Sequence, residues 1–169
     1  YLTNYLDEMA VWHVDHNFQA RSVAWGRRSG VTCLALSPDG RTLALGDRQG
    51  VVWMLHAGTG EVLARINPGM GDEPERVTSL AFAPATATPM LAVASRGQIR
   101  LWSLDPQGHR HPVPLHGLPG HRGTVSSLAF DADGRYLASG GDDKILEVWD
   151  LAQIREALAQ LGLGMSSAF

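Results

Sequence analysis

Cysteine is nearly missing from this chain: Cys33 is the only one in 169 residues. That excludes an internal disulfide framework and any zinc site built on paired cysteines, and it fits a reducing compartment, so a cytoplasmic location is expected. Charge of one sign is also missing. The 14 Lys and Arg against 17 Asp and Glu leave a formal net charge of −3, and without a basic surplus to neutralise phosphates no nucleic-acid partner is expected. No apolar run approaches the roughly 18 residues of a membrane-spanning helix, so no membrane span is expected. The chain begins at Tyr1 without a charged-then-apolar leader, which suggests that residue 1 lies inside a longer polypeptide. Neither G-x-x-x-x-G-K-S/T nor a strand-bounded G-x-G-x-x-G occurs, so nothing cradles a nucleotide and no cofactor is expected.

What is present is a repeat. The segments beginning VTCLAL, VTSLAF and TVSSLAF align, with leading valines Val31, Val77 and Val125 spaced 46 and 48 residues apart. The positions that close each third apolar run, Leu55, Trp102 and Trp149, are each 47 apart, and Trp12 precedes Leu55 by 43. Within a period the apolar residues form runs of four to six, rich in Val, Leu and Phe and bounded by turn residues, which predicts short strands. SPDG at 37–40 and DADG at 131–134 supply Asp to bond local backbone and Gly for positive φ, so these two repeats begin with a hairpin. GTGE at 58–61 makes another turn. The first full repeat is thus a four-strand meander, the second has a weak fourth strand around HPVPLH, and the third has three. MAVWHV and QARSVAW read as the third and fourth strands of a preceding unit. After Asp150, Leu151, Ile154, Leu158 and Leu161 fall at spacings of three and four, with Asp150 as N-cap and Gly162 as stop: a short amphipathic helix and a tail over 151–169.

Chemistry-bearing residues crowd into 120–150, where His121, Ser139 and Asp143 invite comparison with a hydrolase triad. Such a triad needs an exposed nucleophile on a G-x-S-x-G elbow or its equivalent, and Leu137 stands where the first glycine belongs. No catalytic residue is expected. His13 and His16 stand as H-x-x-H, and His109, His111 and His116 share a Pro-rich loop, but none has an acidic or Cys partner at ligand spacing on a helix, so no metal site is expected.

The repeat resembles the WD-repeat β-propeller family, in which units of about 40 to 45 residues each make a four-stranded blade marked by Gly-His early and Trp-Asp late. The third repeat carries the full signature: Gly120-His121, Ser139, Asp143 and Trp149-Asp150. The second has Ser103 after Trp102 and no Gly-His, while the first has Leu55-His56 and Gly26-Arg27 in those places. The resemblance implies an all-β fold of four-stranded antiparallel blades, about three plus a leading half-blade over 1–150, followed by the helix. It further implies a buried hydrogen-bonded network of His121, Ser139, Asp143 and Trp149, expected only in the last blade.

Propellers close into rings of four to eight blades, so three and a half leave the ring open. The missing strands are expected from upstream sequence or from another subunit. The ending after the last blade resembles the close of bacterial WD-repeat proteins, favouring the C-terminal portion of a larger propeller. Arg27, Arg48, Arg96, Arg122 and Lys144 fall in connections that gather at one mouth of such a ring, with Asp47, Asp72, Glu73, Glu75, Asp142 and Asp143 among them. Arg28 and Arg76 fall there too. A mixed-charge rim of this kind suits a polar peptide or protein partner. The expected function is therefore non-enzymatic, a protein-interaction scaffold or assembly subunit; the alternative is a regulatory or sensor segment joined to an enzyme elsewhere in the polypeptide.

Overall fold

The computed structural model describes residues 8–14, 20–27, 30–67, 75–85, 89–104, 113–118 and 120–160, with side chains left undescribed over 8–27, 113–116, 155 and 157–160. Among the described residues, four antiparallel sheets follow one another in sequence. The first is a pair, β1 (Glu8–Val14) and β2 (Ala20–Arg27). The second is a meander of β3 (Val31–Leu36), β4 (Thr42–Asp47), β5 (Val52–His56) and β6 (Val62–Ile66). The third repeats it with β7 (Val77–Phe82), β8 (Met90–Ser95), β9 (Gln98–Ser103) and β10 (Val113–Leu118). The fourth has β11 (Val125–Phe130), β12 (Tyr136–Gly141) and β13 (Leu146–Asp150), then helix α1 (Leu151–Gln160).

The three large sheets are copies in register as well as in order. In each, the first strand shifts register after its leading valine, at Val31/Cys33, Val77/Ser79 and Val125/Ser127, a shared bulge that re-aims that valine. Leu55, Trp102 and Trp149 face Leu43, Leu91 and Leu137 across the second and third strands, so they are equivalent stations. The turns are those the sequence specifies. Gly40 and Gly134 adopt φ of 70° and 68°, and the Ser37 hydroxyl donates to Asp39 Oδ1 at 2.5 Å while accepting the Thr42 N–H.

The sheets stack through their first strands, β3 against β7 and β7 against β11. Alternation along each strand gives every sheet two apolar faces, one for each neighbour. Ala44, Val52, Met54 and Ala64 of the second sheet meet Val77, Leu80, Leu91 and Val93 of the third. Ala92, Ala94, Ile99 and Leu101 on the other side of the third meet Val125, Leu128 and Leu137 of the fourth. Being covered on both sides, β8 is buried at all six positions, and its run MLAVAS is apolar throughout but for the terminal serine. Each large side chain hidden this way contributes about 1.5–3 kcal/mol. Polar stitches cross the same joints: Thr32 Oγ1 donates to the Val77 carbonyl, and Ser79 Oγ accepts the Leu128 N–H at 3.1 Å. Cys33 lies in the first joint, where burial pushes its thiol above the ordinary range, so it is a packing group.

Helix α1 starts where expected. Asp150 Oδ1 accepts the N–H of Ala152 at 3.0 Å and of Gln153 at 3.1 Å, satisfying two of the free donors of the first turn. Leu151 and Ile154 pack into the core between the third and fourth sheets.

Candidate functional site

The polar cluster of the last blade is built from two strands and two connections. Trp149 on β13 donates its indole N–H to Ser139 Oγ on β12 at 3.2 Å. Ser139 lies 2.9 Å from His121 Nε2, and His121 Nδ1 lies 3.0 Å from Asp143 Oδ1 in the β12–β13 turn. A carboxylate only accepts, so Nδ1 carries a proton; with the ring neutral, Nε2 accepts from the Ser139 hydroxyl, and every donor points one way from Trp149 to Asp143. Asp143 also takes the N–H groups of Arg122 and Ile145. These bonds, the His121 one foremost, hold its carboxyl below the usual carboxylate range. The His121 side chain has no exposed surface and Ser139 is buried, so the cluster has no open face for a substrate. It ties the connection ahead of β11 to the adjacent β12–β13 turn of the same blade. Gly141 makes this possible: a Cβ there would lie 2.6 Å from His121 Nδ1 and 2.8 Å from Asp143 Oδ1. Glu147 Oε2 is buried without a hydrogen-bond partner, 3.7 Å from His121 Nε2.

The second sheet has a polar network of its own, which the sequence reading did not anticipate. Asp47 occupies the register position of Gly141. Its carboxylate accepts the N–H of Gln49 at 2.9 Å, of Val51 at 2.8 Å, and the indole N–H of Trp53 at 2.9 Å. Asp47, expected on the charged rim, is only 5% exposed because it closes its own turn. The Arg65 guanidinium covers Trp53 at 5.1 Å from the ring centre. The signal was an Asp ending a second strand six residues before a Trp. In the third sheet Ser95 stands at this same position and bonds the Glu75 and Arg76 carbonyls at 3.1 Å. There Val93 replaces the partner serine of Trp102, whose indole nitrogen is buried without a partner.

Four of the cations lie in connections between strands. Arg48, Arg96 and Lys144 lie in the β4–β5, β8–β9 and β12–β13 turns, Arg122 lies ahead of β11, and all four are exposed. The turns touch the connections of the next blade. A Cβ on Gly50 would lie 2.6 Å from the Glu75 carbonyl oxygen, and one on Gly97 would collide with that of His121. Arg96, its side chain 76% exposed, pairs with Glu75 at 3.0 Å, and its carbonyl accepts the Val125 N–H. Arg27 ends β2, with its side chain outside the described residues. Arg28, His16, Asp72, Glu73, His109, His111 and the tail over 161–169 lie outside the described residues, as do the side chains of His13 and His116. No group of three or more His, Cys, Asp or Glu able to hold a metal occurs among the described residues.

Comparison with known proteins follows the same lines. Residues 21–54 and 112–150 match the model "WD domain, G-beta repeat". Nuclear distribution protein PAC1 of Debaryomyces hansenii is 29% identical over 102 residues, covering 53% of this chain and 18% of that protein. Polycomb protein EED of Chaetomium thermophilum is 33% identical over 78 residues, 46% of this chain and 14% of that one. Transducin beta-like protein 3 of Bos taurus is 34% identical over 128 residues, 74% of this chain and 15% of that one. The chain thus spans under a fifth of the length of these curated relatives. Among solved structures, a chain of a mitotic checkpoint complex superimposes with a TM-score of 0.66 and 26% identity, over 87% of this chain and 43% of that one.

Proposed function

This chain belongs to the WD-repeat β-propeller family, and from that premise we propose that it is a non-catalytic scaffold or assembly subunit that binds a protein or peptide through the rim of Arg48, Arg96, Arg122 and Lys144. A general protein-binding role fits the family; the rim is our own assignment. One observation carries it: exposed cations from successive blades converge on one end, held there by tight turn-to-connection contacts, while the His121 cluster is sealed inside its blade. A rigid row of guanidinium and ammonium groups with Glu75 and Asp142 among them favours an acidic or mixed-charge segment, setting register and on-rate more than affinity. Completion of the ring by further blades or another subunit belongs to the same reading, as does a cytoplasmic setting, which rests on the lone cysteine.

The test is charge reversal. Arg96→Glu with Arg122→Glu should slow association with partners captured by the parent chain and remove most of the salt dependence, leaving the melting temperature near that of the parent. Unchanged association rates would overturn the rim assignment, and turnover of a substrate lost on Ser139→Ala without loss of stability would overturn the non-catalytic reading.

A further inference from the structure

The second blade closes its third strand with a different chemical group from the last one. Leu43 pairs with Leu55 as Leu137 pairs with Trp149, so His56 holds the place that Asp150 holds. Asp150 Oδ1 accepts the N–H groups two and three residues on, those of Ala152 and Gln153. His56 does the same with a ring nitrogen. Its Nδ1 lies 3.2 Å from the amide nitrogens of Gly58 and Thr59, and 3.2 Å from Thr59 Oγ1. Backbone N–H groups only donate, so Nδ1 must present its lone pair, and with the ring neutral the proton sits on Nε2.

The ring organises the whole connection from β5 to β6. Thr59 Oγ1, set against Nδ1, accepts the Glu61 N–H at 3.3 Å, and the His56 N–H donates to the Glu61 carbonyl at 2.8 Å. The ladder beside it is interrupted: the register of β5 against β6 slips between Met54 and Leu55, so Leu55 opposite Val62 is the one pair between the slip and the turn. Gly58 and Thr59 are exposed, which puts the ring and its donors within reach of water and protons.

We propose that His56 is a proton-operated latch on the β5–β6 turn: the neutral imidazole holds the turn, and acid releases it together with the first residues of β6. Proton and turn compete for one lone pair. A proton on Nδ1 turns the acceptor into a donor and sets it against two N–H groups that cannot rotate away. The latch therefore contributes where the imidazole is neutral, and its contribution is lost as pH falls through the range in which imidazoles take up a proton, about pH 8 to 5. Asp150, held below the ordinary carboxylate range first by Arg135, keeps its cap throughout. The charged groups around β5 divide between its two ends. Asp47, Arg48 and Arg65 lie at the far end, where Asp47 bonds Trp53 and Arg65 covers it. Asp39, Arg41 and Glu61 lie at the turn, where Asp39 accepts the Ser37 hydroxyl and the Arg41 N–H. Of these, Arg41 opposes an imidazolium and Glu61 favours one, while neither supplies the acceptor that Gly58 and Thr59 lose.

The test is local and specific to the proton. In the full chain, long-range 1H–15N correlation spectra should show His56 with a bare Nδ1 at pH 7.5. Amide solvent exchange at Gly58 and Thr59, scaled to unstructured-peptide rates at the same pH, should lose protection by on the order of tenfold between pH 7.5 and 5. Ala152 and Gln153 are the internal control and should keep theirs. His56→Asn supplies an acceptor that does not titrate and should keep the turn protected at both pH values, whereas His56→Ala should leave it unprotected at both. Should His56→Asn fail to fold, His56→Asp, the residue of the last blade, takes its place. A proton on Nδ1 at pH 7.5, protection at Gly58 and Thr59 that is indifferent to pH, or an asparagine variant that loses protection as the parent does would each overturn the proposal.

Discussion

Replacing Ser139 with alanine tests whether the last blade's polar cluster is architecture. The hydroxyl is shared by two buried groups, Trp149 Nε1 at 3.2 Å and His121 Nε2 at 2.9 Å, so its loss strands both. A buried polar group left without a partner costs about 1–3 kcal/mol, and the removed oxygen leaves little volume behind. The third blade shows that such a loss is tolerated, since Trp102 keeps an unpartnered indole nitrogen in a folded sheet. The expected loss is therefore roughly 2–4 kcal/mol, nearer the histidine's share than twice the tryptophan's. For a chain of this size that corresponds to a fall in Tm of about 5–15 °C. Stacked repeats unfold by units, so the loss should appear first in the last blade, which holds the cluster. Urea and thermal melts followed by circular dichroism and tryptophan fluorescence read it directly. A variant within about 0.5 kcal/mol of the parent would show that the cluster does not hold the blade.

Acid should act on the same network. Asp143 and Asp150 are both held below the ordinary value of 3.8, the first by His121 and the second by Arg135 and the helix N-terminus. The unfolded chain therefore takes up their protons first as pH falls, so the stability they confer is complete above about pH 5 and is lost as pH drops below 3.8 through their folded values. Asp143→Asn should lower Tm at pH 6 and flatten its slope between pH 4 and 2.5; an unchanged slope would refute this. Gly50→Ala forces a side chain into φ of 76° and against the Glu75 carbonyl, which should cost at least about 1–2 kcal/mol in the same melts. Gly97→Ala, aimed at the His121 carbonyl, should loosen the second joint and speed hydrogen exchange at the Val125 N–H, which bonds the Arg96 carbonyl across it.

Most of the architecture was legible because the strands are short, period-2 and punctuated by Asp-Gly turns, and because the repeat lets one blade interpret another. All three large sheets carry the strand count that their turns indicated, and the weak HPVPLH segment is indeed a strand, β10. The polar interior was legible only in the blade with the full motif. Periodicity assigns residues to a strand and a face but not to a hydrogen bond. It therefore found Leu55 as the equivalent of Trp149 and passed over Trp53, two residues earlier on the same face. Asp47 was misplaced for a related reason: a carboxylate beside a turn reads as a surface charge until three donors are found pointing at it.

Val93 offers the complementary experiment, a gain in place of a loss. It holds the register position of Ser139, pairing opposite Arg100 as Ser139 pairs opposite Glu147, with Trp102 placed as Trp149 is. Val93→Thr keeps the shape and puts a hydroxyl where the orphaned indole N–H can reach it. Exchanging a buried methyl for a hydroxyl forfeits about 0.8 kcal/mol of apolar burial. Against this, pairing the Trp102 nitrogen removes a penalty of about 1–3 kcal/mol, and the hydroxyl proton can turn to a nearby carbonyl. The variant should be as stable as the parent or gain about 1 kcal/mol, whereas Val125→Thr, with no orphan beside it, should lose stability. If both substitutions destabilise equally, the buried indole nitrogen costs the fold nothing, and the serine of the last blade must then act chiefly on His121.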